Sequence, residues 1–393
     1  MSRMLALVTE AHGGAGGIAQ FNRDLLGALA AMPGAPEVDI LPRLGAGRAP
    51  AARHRQHPPR PGRAAYAASA ALIALRRRPD VVLSGHLYHG PLAARLARPA
   101  RARLVSVLHG TEIWDGVAPR HLSPLLASNL VICVSEDTRD RFLSHAGTLP
   151  EGCRAEVLHN TVGEAFAPGA PEERAAARAR WGLEGSFAVL TVARLDARGH
   201  KGHDLVMRAL AARGRPGEIH LIAGEGPDRA ELEEVAAGLG IAERVRFLGH
   251  VADADLPGLY RAADLFALPS RGEGFGIVFA EALASGTPAI GLAVGGAAEA
   301  LRGPGATATH AREFEPAFDL AVDRARAISQ AERQEIAEAL RARFGRAVFE
   351  ARLRALMAPL ADGRGAAAGT GSGTGGGTGG DGRSGEDGGA AGA

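Results

Sequence analysis

What constrains this chain most is a rhythm. Short runs of valine, leucine and isoleucine, each followed by a longer amphipathic stretch, recur through the first half, and the pattern starts again in the second. The runs fall at residues 4–9, 38–41, 81–84, 104–108, 130–134 and 156–158, then at 188–192, 219–223, 245–248, 265–268 and 289–291. Most are apolar throughout rather than alternating, as strands are when both faces of a parallel sheet are covered. Stretches such as 18–31, 204–213 and 229–239 read as helices between them. Strand–helix alternation of this kind builds doubly wound α/β layers. Its restart predicts two Rossmann-like domains facing across a cleft, 1–165 and 166–361. The hinge is placed in 161–180, where Pro168, Gly169 and Pro171 interrupt the pattern. Helices after Phe314 complete the second domain, the last being free to cross back to the first. Residues 362–393 are nearly half glycine, with no large apolar side chain. They cannot offset their own ordering entropy and read as a disordered tail.

Composition narrows the function. Aromatic residues are only 4% of the chain, which argues against a base-stacking surface and so against a nucleic-acid partner. Lys+Arg 45 against Asp+Glu 43 leaves no global field to draw in a polyanion. Two cysteines, Cys133 and Cys153, suit a reducing compartment. The opening MSRMLALVTEAHGG lacks the long apolar region of a signal peptide, and no run of about 18 apolar residues is present. The expectation is a soluble, cytoplasmic protein.

Unusual residues gather just after the strands, where ligands bind in open α/β sheets. His12-Gly13-Gly14-Ala15-Gly16-Gly17 follows the first strand and opens a helix, so its backbone can approach an anion. Read as Gly14-x-Gly16-x-x-Ala19, it also fits the dinucleotide fingerprint. The loop 192–202 carries Arg194 and Lys201, and Lys201 is the single lysine among 45 basic residues. A chain that otherwise uses arginine keeps a compact, flexible ammonium at one place, which points to a shared grip on a diphosphate. The segment 269–282 runs from a strand end through a glycine loop into a helix. There the amides of Phe275, Gly276 and Ile277 form another anion seat. Glu281 is placed to accept from vicinal ribose hydroxyls, and Glu273 to face the group beyond the phosphates. Asp253-Ala254-Asp255 has the letters of a metal motif but is read as a helix cap. His and Cys do not fall at zinc-ligand spacing.

Glu273 and Glu281, seven residues apart in PSRGEGFGIVFAEALASGTPAIG, resemble the E-x7-E signature of the retaining glycosyltransferases of family 4, which have the GT-B fold. GGAGGIAQ, LHGTEIW, ICVSEDT, VLHNTV, VARLDARGHKG, LIAGEGP, RFLGHV, AADLFALPS and GGAAE extend the likeness, in order, over about 350 residues. The resemblance implies that a hexosyl group moves, with retention, from a nucleotide-diphosphate sugar to a glycan or polyprenyl-linked acceptor, without an obligatory metal or other cofactor. It implies roles for Gly17 at the diphosphate, His109 as the catalytic histidine at the donor sugar, Arg194 and Lys201 at the phosphates, Glu273 at sugar hydroxyls and Glu281 at the ribose. His86, His89 and His121 are candidates for the acceptor side. Two other readings are carried: a nicotinamide-dependent oxidoreductase, resting on the fingerprint, and a silent sugar-nucleotide-binding protein. Finally, residues 40–79 hold nine arginines and no acid. That stretch fits contact with anionic lipid headgroups or a lipid diphosphate, and equally an arginine-rich surface loop.

Overall fold

The computed structural model describes residues 2–14, 16–196 and 201–362. The glycine-rich tail beyond residue 362 lies outside the described residues, as does part of the loop before Lys201.

Seven parallel strands form the first sheet: β1 (Arg3–Val8), β2 (Glu37–Pro42), β3 (His54–Gln56), β4 (Val81–Ser84), β5 (Arg103–Leu108), β6 (Leu130–Cys133) and β7 (Arg154–Val157). Their order is β3-β2-β1-β4-β5-β6-β7. Six form the second: β8 (Phe187–Val192), β9 (Glu218–Ala223), β10 (Val245–Gly249), β11 (Leu265–Leu268), β12 (Ala289–Leu292) and β13 (Ala306–Thr309), in the order β10-β9-β8-β11-β12-β13. The helices of the first half are α1 (Gly17–Ala31), α2 (Arg63–Arg77), α3 (Gly90–Ala100), α4 (Pro119–Leu126) and α5 (Glu136–Ala146). Those of the second are α6 (Pro171–Arg180), α7 (His203–Arg213), α8 (Arg229–Gly238), α9 (Leu256–Ala262), α10 (Ile277–Ala284) and α11 (Ala297–Ala300). Three longer helices close the chain: α12 (Phe314–Ala327), α13 (Gln330–Phe344) and α14 (Arg346–Asp362).

The apolar runs became strands because both faces of each sheet are covered. All four residues of β4, β6, β11 and β12 are buried. Two strands escaped the sequence reading, and both are edges. β3 is only His-Arg-Gln, and β13, Ala-Thr-Ala-Thr, leaves three of its four residues partly or fully exposed. A strand with one free side does not need a continuous apolar run.

β7 begins two residues earlier than its apolar letters suggested, and α14 explains why. This last helix crosses back over the first domain: Arg352 bonds Glu156 at 2.8 Å, and Arg154 donates to the Leu356 carbonyl at 3.2 Å. Its Phe349 meets Phe21 of α1 edge-on at 6.1 Å, and its Arg346 meets Asp24 at 3.2 Å. Polar letters in β7 are therefore partners of α14 rather than loop residues.

In each sheet the strand order reverses beside the first strand, between β1 and β4 and between β8 and β11. Loops leaving such a switch point diverge and open a crevice at the carboxyl ends. The two crevices face each other.

Candidate functional site

A cavity of about 1000 Å³ lies between the carboxyl ends of the two sheets. It gathers Gly16, Gly17, His109, Arg194, Lys201, Glu273, Phe275, Gly276 and Ile277 on its walls. Residues up to 261 apart in sequence thus share one space because both switch points open into it. A Cβ on Gly17 would lie 3.9 Å from the Ile277 side chain, so the first turns of α1 and α10 confront each other. Each first turn presents N–H groups without intrahelical partners and the positive end of a helix dipole. Gly276 caps α10 in the left-handed region (φ 80°), which a side chain would strain.

The domains touch at the mouth of this cavity. A Cβ on Gly274 would sit 1.8 Å from the His109 carbonyl oxygen, so only glycine permits that approach. Trp114 of the first domain lies against Gly272 and Gly295 of the second, its indole N–H buried without a partner.

The lone lysine is engaged. Lys201 Nζ donates to Glu273 Oε1 at 2.7 Å, with both side chains largely shielded. Arg194 is exposed and, among the described residues, makes no such pairing. One fixed and one free cation therefore line the same wall, and Glu273 holds the ammonium there.

Glu281 differs from the other residues, lying one turn inside α10 rather than on the cavity wall. It accepts from the Tyr260 hydroxyl at 2.9 Å. Burial pushes its carboxyl up to about 7, against the opposing effect of that bond, and nearby Asp253 and Asp24 push the same way. Asp253 itself is on the cavity wall. Asp255 does not cap α9 as expected. Its backbone is already helical (φ −94°, ψ −20°), and its carboxylate pairs instead with Arg180 at 2.8 Å.

His109 ends β5 with its Nε2–H donated to the Gly85 carbonyl at 2.9 Å and its ring edge-on to Phe21 at 5.4 Å. Burial pulls it down to about 4, so the imidazole is neutral. With the proton on Nε2, Nδ1 is left as an acceptor. His86 and His89 share the first-domain wall, pulled down by burial to about 4 and about 3. His121 is not on the wall; it stands edge-on to Tyr88 at 5.4 Å.

Sequence reasoning missed Tyr260 and Glu299. The Glu299 carboxylate accepts from the backbone N–H groups of Glu136 (2.9 Å) and Asp137 (3.1 Å) and from His159 Nε2 (2.8 Å). A second-domain acid thereby covers the first turn of a first-domain helix, α5. Burial raises its pKa, but these three bonds outweigh that and hold it below the usual range. The signal was GGAAE after β12, quoted as a motif but given no role. Among the described residues, no group of three or more His, Cys, Asp or Glu side chains could hold a metal ion.

Two family models match the chain: "Glycosyltransferase Family 4" over residues 15–165 and "Glycosyl transferases group 1" over 173–345. The chain is 36% identical over 223 residues to a GDP-mannose-dependent alpha-(1-6)-phosphatidylinositol monomannoside mannosyltransferase of Mycolicibacterium smegmatis, covering 53% of this chain and 56% of that protein. It is 43% identical over 141 residues to the mannosylfructose-phosphate synthase of Agrobacterium fabrum, covering 33% of this chain and 30% of that one. The chain thus aligns with about half or less of the length of these relatives. Anabaena Alr3699/HepE, solved in complex with UDP-glucose, shares the fold with a TM-score of 0.72 and 21% identity, covering 91% of this chain and all of that one.

Proposed function

Because the chain belongs to glycosyltransferase family 4, we propose that it moves a hexosyl group from a nucleotide-diphosphate sugar to a hydroxyl of a glycan or lipid-linked acceptor, with retention and without an obligatory metal. One observation carries this reading: the only lysine, a free arginine and two opposed helix starts converge on one cavity between the domains. That arrangement is matched to a diphosphate, whose charge grows as the sugar leaves. Fixed cations and backbone N–H groups stabilise such charge at no reorganisation cost.

In this mechanism Lys201 leaves Glu273 for the arriving diphosphate, joining Arg194 and the amides of α1 and α10. Glu273, released, accepts from sugar hydroxyls. Glu281 takes the ribose, held by Tyr260. Nδ1 of His109 accepts from a donor-sugar hydroxyl and keeps the anomeric carbon over the phosphates. The bond from that carbon to the phosphate oxygen breaks, and the acceptor oxygen attacks the same face. Its proton passes to the departing phosphate. His86 and His89, both neutral, offer the acceptor hydrogen bonds without a competing charge.

GDP-mannose, named in the Mycolicibacterium relative, is the first donor to test, followed by UDP-glucose, the ligand of the Anabaena protein. The test is purified protein with a donor panel in EDTA, reading released nucleotide, with NADH in a parallel thermal-shift series. Nucleotide release in EDTA with one sugar nucleotide supports the reading. Stabilisation by NADH alone would favour the oxidoreductase alternative.

The same reading includes peripheral contact with an anionic bilayer. The outer face of α2 exposes Leu72 (46%) and Leu75 (74%), framed by the exposed Arg63, Arg76 and Arg78. From Ile40 to Thr111 the chain has thirteen arginines and one acid, Asp80. Leucines inside an arginine frame suit a headgroup boundary better than open water. Among the described residues, no helix is long and apolar enough to cross a membrane.

A further inference from the structure

A second cavity, of about 530 Å³, lies at the opposite end of the second sheet from the cleft. Turns leading into β8, β9 and β11 form its floor, and α6, α12 and α13 its sides. Four arginines line it, Arg174, Arg215, Arg326 and Arg333, against one acid, Asp264.

Where each charge is spent decides what the cavity can do. Asp264 is fully committed. It accepts from Arg174 at 2.6 Å, from Arg178 at 3.0 Å and from the Ala188 N–H at 2.8 Å. Arg326 is matched by Glu218 at 2.7 Å and lies over the Phe187 ring, 4.5 Å from its centroid. Glu218 is itself shared with Arg213 at 2.9 Å.

Two guanidinium groups are left over. The Arg215 side chain is exposed and, among the described residues, has no hydrogen-bond or ion-pair partner. Arg333 is only 7% exposed, and among the described residues its guanidinium makes one bond, Nη1 to the Gly286 carbonyl at 3.0 Å. No carboxylate pairs with it. Burial, together with the neighbouring Arg174, pulls its pKa to about 10, far below the ordinary guanidinium range. A buried cation beside others of its own sign is costly, and an apolar residue of the same size would avoid that cost. An anion supplied from solution would compensate it.

We propose that this cavity is a second anion site, separate from the cleft, that binds a phosphorylated small molecule through Arg333 and Arg215. Its volume lies within the range of small-molecule sites. The planar forks of the two arginines match phosphate oxygens in pairs, as a lysine would not. This inference does not rest on the transfer reaction proposed above.

The test is calorimetric titration at constant ionic strength with inorganic phosphate and with glucose 6-phosphate, using chloride as the control anion. The Lys201→Ala protein is used as well, so that cleft binding is weakened. The site predicts saturable binding of at least one probe in both proteins, weakened about tenfold or more by Arg215→Ala and abolished by Arg333→Met. The Arg215 side chain is exposed and holds no bond within the described fold, so its variant stays informative even where Arg333→Met folds poorly. Arg333→Lys, which keeps the charge but loses the fork, should bind weakly. Binding unchanged in Arg215→Ala and Arg333→Lys, or matched by chloride, would overturn the proposal. So would heat that disappears completely with Lys201→Ala.

Discussion

Lys201 and Glu273 form a pair that, in the proposed reaction, the donor would have to break. Their 2.7 Å contact is partly shielded, so each partner would be costly to leave alone. Exchange is inexpensive only when a phosphate replaces the carboxylate as sugar hydroxyls replace the ammonium. Glu281 adds a titration. Its carboxyl, raised to about 7, is half protonated near neutrality, and only the ionised form accepts from both ribose hydroxyls. Nucleotide affinity should therefore fall as pH drops from 8 to 6. Glu281→Gln should remove that dependence and weaken nucleotide binding about 10- to 100-fold, the size of a lost charged hydrogen bond. Fluorescence or calorimetric titration of GDP and UDP at pH 6, 7 and 8 checks both points; a pH-independent wild type would remove Glu281 from the ribose.

At the scale of elements, two of the ties between the domains lie outside the cleft's mouth. One is α14, whose Phe349 packs on Phe21 while Arg346 reaches Asp24. The other is Glu299, whose carboxylate accepts from the backbone N–H groups of Glu136 and Asp137 in the first turn of α5. Glu299→Ala should leave that turn and His159 without their acceptor, costing about 1–3 kcal/mol. Transfer should fall more than nucleotide binding does, because the second domain keeps its phosphate grip while His109 loses its register over it. Thermal melts and separate nucleotide and turnover assays distinguish this from simple unfolding. These ties also mark the limit of what the letters reveal. Apolar runs disclosed eleven strands: nine are internal to a sheet, where burial on both faces demands such runs, and the edges β7 and β10 keep enough apolar letters to show, whereas the edges β3 and β13 do not. Glycines, Arg194 and Lys201 stood out through residue type and position after a strand. Tyr260 and Glu299 did not, since their partners are 21 and about 140–163 residues away and no local pattern encodes such pairing.

The whole molecule carries a store of neutral histidine. His86, His89, His109 and His220 are pulled down by burial to about 4, 3, 4 and 3. In the unfolded chain they titrate near 6.5, so below that pH the unfolded state binds protons that the fold refuses. Stability is then complete above about pH 6.5 and drains away as pH falls toward 4, by on the order of 1 kcal/mol per pH unit for each such group. Glu281 and Asp24, both raised by burial, act in the opposite sense, but they are two groups against four. Urea midpoints at pH 7.5, 6 and 5 should decline in that order; constancy would mean that these imidazoles ionise inside the fold. The α2 face has its own test. Vesicles containing anionic lipid should sediment the protein, neutral vesicles should not, and Leu72→Ser with Leu75→Ser should reduce the bound fraction at unchanged salt. Equal binding to neutral vesicles, or none to anionic ones, would count against a headgroup contact.

The claim under all of this is that the space between the two domains is built to hold a diphosphate with Lys201 and Arg194. The most direct measurement is titration of GDP and UDP into wild type, Lys201→Arg, Lys201→Ala and Arg194→Ala at one ionic strength. The account predicts saturable binding of at least one nucleotide, weakened about tenfold or more by each alanine variant and impaired by Lys201→Arg although its charge is kept. Equal affinity across all four proteins would contradict it.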